Sequence, residues 1–225
     1  MSKSEGRLFC VTYTPLVATE AGRNASEEHG LPPFIDGSIR REPDLEHVYP
    51  SISCLCRGGK FAPRLRERDI VVYLTRKGRY EEPVAHRRLT AVLRVLQVFE
   101  SHGEAAAWYR TKNLSLPSNC LVPGNPPNPV SRSHRHNRHS HLADEDEFTR
   151  RWDHDYRARA RRFARFVVCR PIKVILGWDA PIVHDEDLEH VFGKVPATQN
   201  PGALSIALLP ALLERLQIDV PPSCP

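Results

Sequence analysis

The sequence has no apolar run that approaches the roughly 18 residues of a membrane-spanning helix. Its N-terminus, MSKSEGRLFC, also lacks the apolar core of a secretory signal peptide. We therefore expect a cytoplasmic protein with no membrane partner.

Motifs that mark a reaction class are missing as well. The chain has no nucleophile elbow, no phosphate-binding loop and no zinc-deaminase pattern. The sequence therefore identifies no catalytic residue, and we expect no cofactor.

The six cysteines form no zinc-knuckle pattern. Cys54 and Cys56 alternate on a predicted strand, which directs both thiols to one face, and further ligands at knuckle spacing are absent. Cys10, Cys54, Cys56 and Cys169 all lie in or beside apolar runs. We expect buried thiols here and no metal.

The chain does carry a clear excess of basic charge, most of it on arginine. Its 225 residues have a formal net charge of +5 at pH 7 and a pI of ≈ 9.0. Because arginine binds phosphate with two parallel hydrogen bonds and stacks on bases, this composition favours a polyanionic partner such as DNA or RNA.

Two apolar runs, at residues 70–74 and 89–99, predict the centre of the core. The first is IVVYL, which is rich in β-branched residues and follows a basic segment that ends at Asp69. Strands as apolar as these need a sheet that closes on itself or is covered on both faces.

Short strands fill the middle of the chain and helices are added around them. Further strands are predicted at 8–16, 51–56 and 166–176, helices at 102–112, 144–163, 185–192 and 205–216, and a surface loop at 19–33. This order indicates a single α+β domain over residues 1–225, a small mixed barrel that is partly closed and surrounded by helices.

A segment of unusual composition interrupts this pattern at about residues 112–165. It contains a proline-rich loop (117–129), a histidine-rich loop (134–141) and an arginine-rich helix (144–163). Apolar residues recur along the helix at a spacing of four, which predicts one stripe that packs on the sheet. Arg157 and Arg161 lie off this stripe and are candidates for binding phosphate.

Residues 61–73, FAPRLRERDIVVY, resemble the signature of EVE domains in the PUA-like superfamily. In that signature a basic segment leads through Gly-Asp into an apolar strand that ends near a tyrosine. Leu204-Ser205 before a terminal helix is similar to the end of those domains, and the loop 36–41 resembles nucleotide-modification-associated domains. The resemblance covers residues 7–110 and 166–217. Arg68 stands in place of the usual glycine, and the terminal helix lacks the family's tryptophan.

The resemblance implies a pocket that binds a modified base flipped out of its strand, between aromatic faces and polar groups that read its edge. We assign Trp178 as the stacking face, Ser38 and Asn200 as edge readers, and Asp36 and Tyr13 as further pocket residues. The flanking phosphates are assigned to basic residues: Arg40, Arg41, Lys60, Arg64 and Arg66, together with Arg157 and Arg161. Trp178 as a lid on the core, and turn chemistry at Ser38 and Asn200, are the alternatives.

Three functions remain open from the sequence. The first is a reader of modified bases in DNA or RNA, associated with modification or defence systems. The second is a metal-dependent nucleotide-modifying enzyme or nuclease that uses the histidine-rich loop, His154 with its aspartate neighbours, and the acidic run 144–147. The third is a scaffold that docks through the apolar stripe of the 144–163 helix.

Overall fold

The centre of the molecule is a mixed β-sheet, in a computed structural model that describes residues 6–55, 59–134, 144–198 and 200–219. Its strands are β1 (Arg7–Tyr13), β2 (Ser51–Ser53), β3 (Ile70–Thr75), β4 (Arg87–Phe99), β5 (Phe166–Val174), β6 (Ile182–Val183) and β7 (Leu204–Ser205). They follow the order β2-β5-β4-β3-β1-β7, and β6 pairs with the start of β4. β1 and β3 are parallel, and the other pairs are antiparallel. The sheet curls into a half-barrel, which confirms the α+β class.

β3 is buried along its whole length, as its composition predicts. Its side chains alternate between two faces, because successive residues of a strand point in opposite directions. On the inner face, Val71 and Tyr73 pack with Phe9 and Val11 of β1. The outer face is formed by residues such as Val72, and it is covered by the two C-terminal helices. Both faces of the sheet are therefore covered at β3, which confirms the prediction made from its apolar sequence.

The helices are α1 (Glu20–His29), α2 (His102–Thr111), α3 (Glu145–Arg162), α4 (Asp185–Phe192) and α5 (Leu209–Arg215). α2 to α5 lie where the sequence predicts helices, although the last begins as a 3-10 turn at Ile206–Leu208. No helix of the described residues is long and apolar enough to span a membrane.

The prediction of a loop at 19–33 is wrong, because α1 occupies most of it. Thr19 caps the helix by accepting a hydrogen bond from the Gly22 N–H (3.1 Å), and Gly30 ends it in the left-handed conformation with φ of 59°. The buried residues of α1 are Gly22 and Ala25. A contact face this small produces no apolar stripe in the sequence.

The apolar stripe of α3 is buried or partly buried, and it packs on the sheet as predicted only at its C-terminal end, where Phe163 contacts the inner-face core. Tyr156 and Ala160 contact Ile39, Leu55 and Val130, none of which belongs to a strand of the sheet. The scaffold hypothesis needed this stripe to be exposed. The structure therefore does not support α3 as a docking face.

Residues 33–45, here called the site loop, are buried without exception. This is unusual, because loops normally run over the surface. The side chain of Arg40 fastens the site loop to the segment around it. Its Nε donates to Asp153 of α3 (2.6 Å), and its other nitrogens donate to the carbonyls of Ser118 (2.8 Å), Asn125 (3.1 Å) and Pro126 (3.2 Å). The 112–165 segment therefore covers and positions the site loop.

Candidate functional site

A cavity of ≈ 800 Å³ lies where the inner face of the sheet, the site loop and α3 meet. It is lined by Thr12, Tyr13, Thr14, Asp36, Ser38, Glu42, Ile52, Ser53, Lys60, Phe61, Tyr73, Arg76, His134, Trp152, Tyr156, Arg159 and Asn200. These residues comprise aromatic rings, two acids, several cations and a set of hydroxyl groups. A cavity of this size can hold a nucleoside or a ligand of similar size.

Aromatic side chains reach the cavity from both the sheet and α3. Tyr13 and Tyr73 lie on the parallel neighbours β1 and β3, and their rings meet edge to face with centroids 6.0 Å apart. On α3, Trp152 and Tyr156 are four residues apart, so they share one helix face, and their ring centroids lie 6.3 Å apart. Phe61 completes the set. Rings supplied by both the sheet and α3 offer faces on which a flat ligand can stack.

The site loop adds two buried acids to the lining, Asp36 and Glu42. Glu42 accepts hydrogen bonds from the Ser53 N–H (2.9 Å), the Ser53 hydroxyl and Asn119 Nδ2 (3.1 Å). Burial nevertheless raises its pKa to about 7. Asp36 accepts from the N–H (3.0 Å) and the hydroxyl of Ser38, and burial raises its pKa to about 6. Both groups therefore change charge near neutral pH.

Three cationic side chains, those of Lys60, Arg76 and Arg159, also line the cavity, and all three are exposed to solvent. Arg159 lies with Cζ 5.4 Å from the centre of the Tyr156 ring, and its Nη1 donates to the Leu55 carbonyl (3.3 Å). The acids are buried whereas the cations are exposed. The lining is therefore polarised, with acceptors inside and positive charge towards solvent.

Five of the residues assigned from the sequence meet at this cavity: Tyr13, Asp36, Ser38, Lys60 and Asn200. The hydroxyl of Ser38 is directed to Asp36 and to the Arg40 carbonyl (2.9 Å), and that of Tyr13 donates to the Phe34 carbonyl. Asn200 accepts a hydrogen bond from Arg64 (3.2 Å), which places this arginine beside the cavity.

Trp178, assigned as the stacking face, does not line the cavity. It is 42% exposed, and its ring makes an edge-to-face contact with Phe34 at 5.1 Å between centroids. Phe34 is buried, so Trp178 covers this part of the core and is itself partly open to solvent.

Arg40 and Arg41, assigned to phosphates, are buried. Arg41 donates to the carbonyls of Asp36 and Ser38, both at 2.8 Å, and to that of Arg132 at 2.9 Å. Arg40 is bonded to the covering segment. Both guanidinium groups thus hold the site loop in shape, which corrects their assignment as phosphate contacts.

The other assigned arginines are distributed over the surface. Arg66 and Arg161 are exposed, and Arg157 forms an ion pair with Asp153 at 2.7 Å. None of the three lines the cavity.

The described residues include no group of three or more histidines, cysteines, aspartates or glutamates that could hold a metal ion. Asp153 is bound to Arg40 and Arg157, and His134 lines the cavity. The rest of the histidine-rich loop (135–141) and Cys56 lie outside the described residues. Cys10, Cys54, Cys120 and Cys169 are free and buried. Buried thiols were predicted at Cys10, Cys54 and Cys169, and the structure confirms all three.

Sequence reasoning missed several lining residues, which include Glu42, Tyr73, Trp152, Tyr156, Arg76 and Arg159. Tyr73 had a usable signal, because a hydroxyl-bearing ring at an inward position of an apolar strand often lines a cavity. Trp152 and Tyr156 were interpreted as core residues, and they are in fact both packed and cavity-lining. No local pattern distinguishes Glu42 from a solvated acid.

Comparison with known protein-family models, curated proteins and solved structures found no match to this chain. The resemblance to EVE domains therefore stays a prediction that rests on short motifs.

Proposed function

We propose that this chain is a nucleic-acid-binding module of the PUA-like, EVE-like type that holds a modified base in the ≈ 800 Å³ cavity. The observation that carries the proposal is the polarised lining. The lining combines aromatic rings, buried hydrogen-bond acceptors and cations that are exposed to solvent. A nucleotide has the matching order of parts: a flat base, polar groups on its edge, and a phosphate outside.

The backbone before β3 supports the family assignment. Arg68 stands where the EVE signature has glycine, and its φ of 76° lies in the left-handed region that glycine favours. Asp69 follows, and its buried carboxylate accepts hydrogen bonds from the N–H of Arg66 and from the N–H and guanidinium of Arg7. This turn has the geometry that a Gly-Asp pair would provide.

The reader function requires the base to leave its strand, because the lining surrounds a single planar group on several sides. Stacking on aromatic rings would offset the cost of unstacking, and each base–aromatic contact contributes about 1–3 kcal/mol. Lys60, Arg76 and Arg159 would bind the phosphates on either side, which makes binding depend on salt.

Binding to oligonucleotides tests the proposal. Single- and double-stranded oligonucleotides that carry one central 5-methylcytosine or N6-methyladenine are compared with their unmodified twins by fluorescence anisotropy over a range of salt concentrations. We expect tighter binding to at least one modified oligonucleotide, with an affinity that falls as salt rises. Equal affinity for modified and unmodified twins would reduce the function to that of a generic basic surface.

Two tryptophans provide a matched pair of variants for this assay. Trp152→Ala removes a ring from the cavity and is expected to weaken binding about 5- to 150-fold, whereas Trp152→Phe retains most of the affinity. Trp178→Ala removes an exposed ring outside the cavity and is expected to leave binding unchanged. Thermal unfolding of each variant confirms that it is folded. A loss confined to Trp178→Ala would move the stacking site away from the cavity.

A further inference from the structure

The buried acids of the cavity, Asp36 and Glu42, take part in none of the ion pairs formed among the described residues. Arg41 lowers the pKa of Asp36 through its charge, but its Nη1 donates to backbone carbonyls and not to the carboxylate. A buried carboxylate without a paired cation is costly to maintain. Two such carboxylates in the lining of one cavity therefore indicate a ligand that donates additional hydrogen bonds to them.

The Glu42 carboxylate can accept one more hydrogen bond than the protein donates to it. Its Oε1 accepts one hydrogen bond, from the Ser53 N–H, and its Oε2 accepts two, from the Ser53 hydroxyl and Asn119. A carboxylate offers about four acceptor positions, so three donors leave room for one more. The donors already present come from β2 and from the proline-rich segment, so they fix the orientation of the carboxylate.

Asp36 is held in a similar way by donors of its own loop, which include the N–H of Glu42. Its Oδ1 accepts from both the N–H and the hydroxyl of Ser38, and Arg41 binds the backbone carbonyls of the same turn. The two carboxyl groups are thus rigid parts of a buried loop, whereas the cations of the lining are long, exposed side chains. Rigid, buried acceptors are suited to reading the edge of a base, and mobile cations are suited to phosphate.

We propose that Glu42 and Asp36 accept N–H groups from the edge of the bound base, so that the cavity selects bases with an exocyclic amino group over their oxo counterparts. The inference rests on the proposed function and names the class of base that the same cavity takes. Carboxylates are the side chains that accept a hydrogen bond from the cytosine amino group. An oxo group at the same position is itself an acceptor, so it could not donate to the carboxylate.

The test compares oligonucleotides whose central base carries an amino group or an oxo group at the same position. The adjacent ring nitrogen of the oxo member gains a hydrogen, so the amino member offers two N–H donors on that edge and the oxo member offers one. Single strands carry a central 5-methylcytosine or thymine in one pair, and adenine or hypoxanthine in the other. We expect the amino member to bind about 5- to 150-fold more tightly in at least one pair, which is the discrimination that a good hydrogen-bonded base contact provides. Equal binding within both pairs, or tighter binding of the oxo members, would overturn the inference and leave the reader function standing. Absence of binding both to all four strands and to the modified oligonucleotides of the first assay would overturn both.

Glu42→Gln and Asp36→Asn give the second arm, because each replaces an acceptor oxygen by an amide that donates. We expect the preference for the amino member to fall to near one, or to invert, in at least one of these variants, with affinity for the oxo member retained or raised. Glu67→Gln removes an exposed acid outside the cavity and should leave the preference unchanged. Circular dichroism and thermal unfolding establish that each variant is folded. A preference that survives in both folded cavity variants contradicts the assignment.

Discussion

Arg40 and Arg41 illustrate how far the role of a single residue depends on distant parts of the chain. Their sequence context, just after an Asp-Gly turn, is that of an exposed pair ready to bind phosphate. In the fold, the Arg40 side chain is 0% exposed and binds Asp153 and Ser118, which are 113 and 78 residues away. Residue type alone could not predict this role, because the partners come from a segment that follows much later.

Breaking the Arg40–Asp153 pair should be strongly destabilising. Arg40→Met removes a buried cation, so Asp153 keeps only its partly exposed partner and three backbone carbonyls lose their donor. Removal of one member of a buried ion pair costs about 3–5 kcal/mol. We expect a fall of that size in the free energy of unfolding, measured by urea denaturation.

The other arginine bound to Asp153 provides the control. Arg157 pairs with the opposite carboxylate oxygen at 2.7 Å, but its side chain is 36% exposed. Partly exposed pairs of this i, i+4 type contribute less than about 1 kcal/mol, so Arg157→Met should cost no more than that. Similar losses in the two variants would show that burial of Arg40 is not what makes the pair important.

At the scale of elements, the sequence predicted the five longer strands but neither of the two-residue strands β6 and β7, and it missed one helix. The apolar runs gave β3 and β4 within a few residues, because strands buried on two faces have an unmistakable composition. The last helix was predicted from residue 205, but α5 begins at Leu209, so that Pro210 lies in its first turn, where a missing backbone N–H is tolerated. The signals for α1 were its cap Thr19 and its stop Gly30, and both were outweighed by a polar composition that is typical of loops.

α1 packs through the close approach of its backbone at Gly22 to the backbone of Leu16, and not through large apolar side chains. Alanine substitutions at two helical glycines, Gly22 and Gly103, test this. A Cβ at Gly22 would lie 1.7 Å from the Leu16 carbonyl oxygen, so Gly22→Ala must displace the backbone. We expect it to reduce the free energy of unfolding by about 1–3 kcal/mol, as overpacked sites do. At Gly103 of α2 the nearest atom would be the Ser101 hydroxyl at 3.8 Å.

Gly103→Ala should therefore be neutral or should stabilise the protein by up to about 1 kcal/mol, because alanine favours a helix. Urea denaturation of both variants makes the comparison. Stabilisation by Gly22→Ala would mean that α1 does not pack against the residues before it.

At the scale of the whole molecule, only those residues of the candidate site that lie together in one short segment could be predicted from the sequence. Asp36 and Ser38 were found because their turn has a recognisable sequence. Trp152 and Arg159 could not be assigned to the site, because α3 reaches the cavity only through the way the 112–165 segment folds over the site loop. That segment was interpreted as an insertion within the single domain, and it supplies part of the lining.

Burial of ionisable groups gives the whole protein a specific dependence on pH. Burial raises the pKa of Glu42 to about 7 and that of Asp36 to about 6, so these carboxyls stabilise the fold in their protonated forms. The effect of His102 is opposite. Burial lowers its pKa to about 4, and its Nδ1 accepts a hydrogen bond from the Leu121 N–H (3.1 Å), so it stabilises the fold when neutral. These groups favour an optimum on the acidic side of neutral.

Glu42→Gln isolates one of these contributions. The folded pKa of about 7 lies above the usual 4.5, so the stabilisation that Glu42 provides is fully present below pH 4.5 and is lost as the pH rises through 7. Cys54, Cys169 and Asp36 face the same carboxyl, and the two thiols stay protonated across this range because burial raises the pKa of Cys54 to about 12 and that of Cys169 still higher. The difference in melting temperature, variant minus wild type, should therefore increase steadily from pH 5 to pH 8.

The size of that increase follows from the gap between the folded and unfolded pKa values of Glu42, because a tenfold change in proton affinity corresponds to about 1.4 kcal/mol. Glu67→Gln is the matched control, because it makes the same substitution at an exposed position. A flat profile for Glu42→Gln would mean that Glu42 is solvated in the folded protein, and it would remove the buried acceptor on which the reading of an amino group depends.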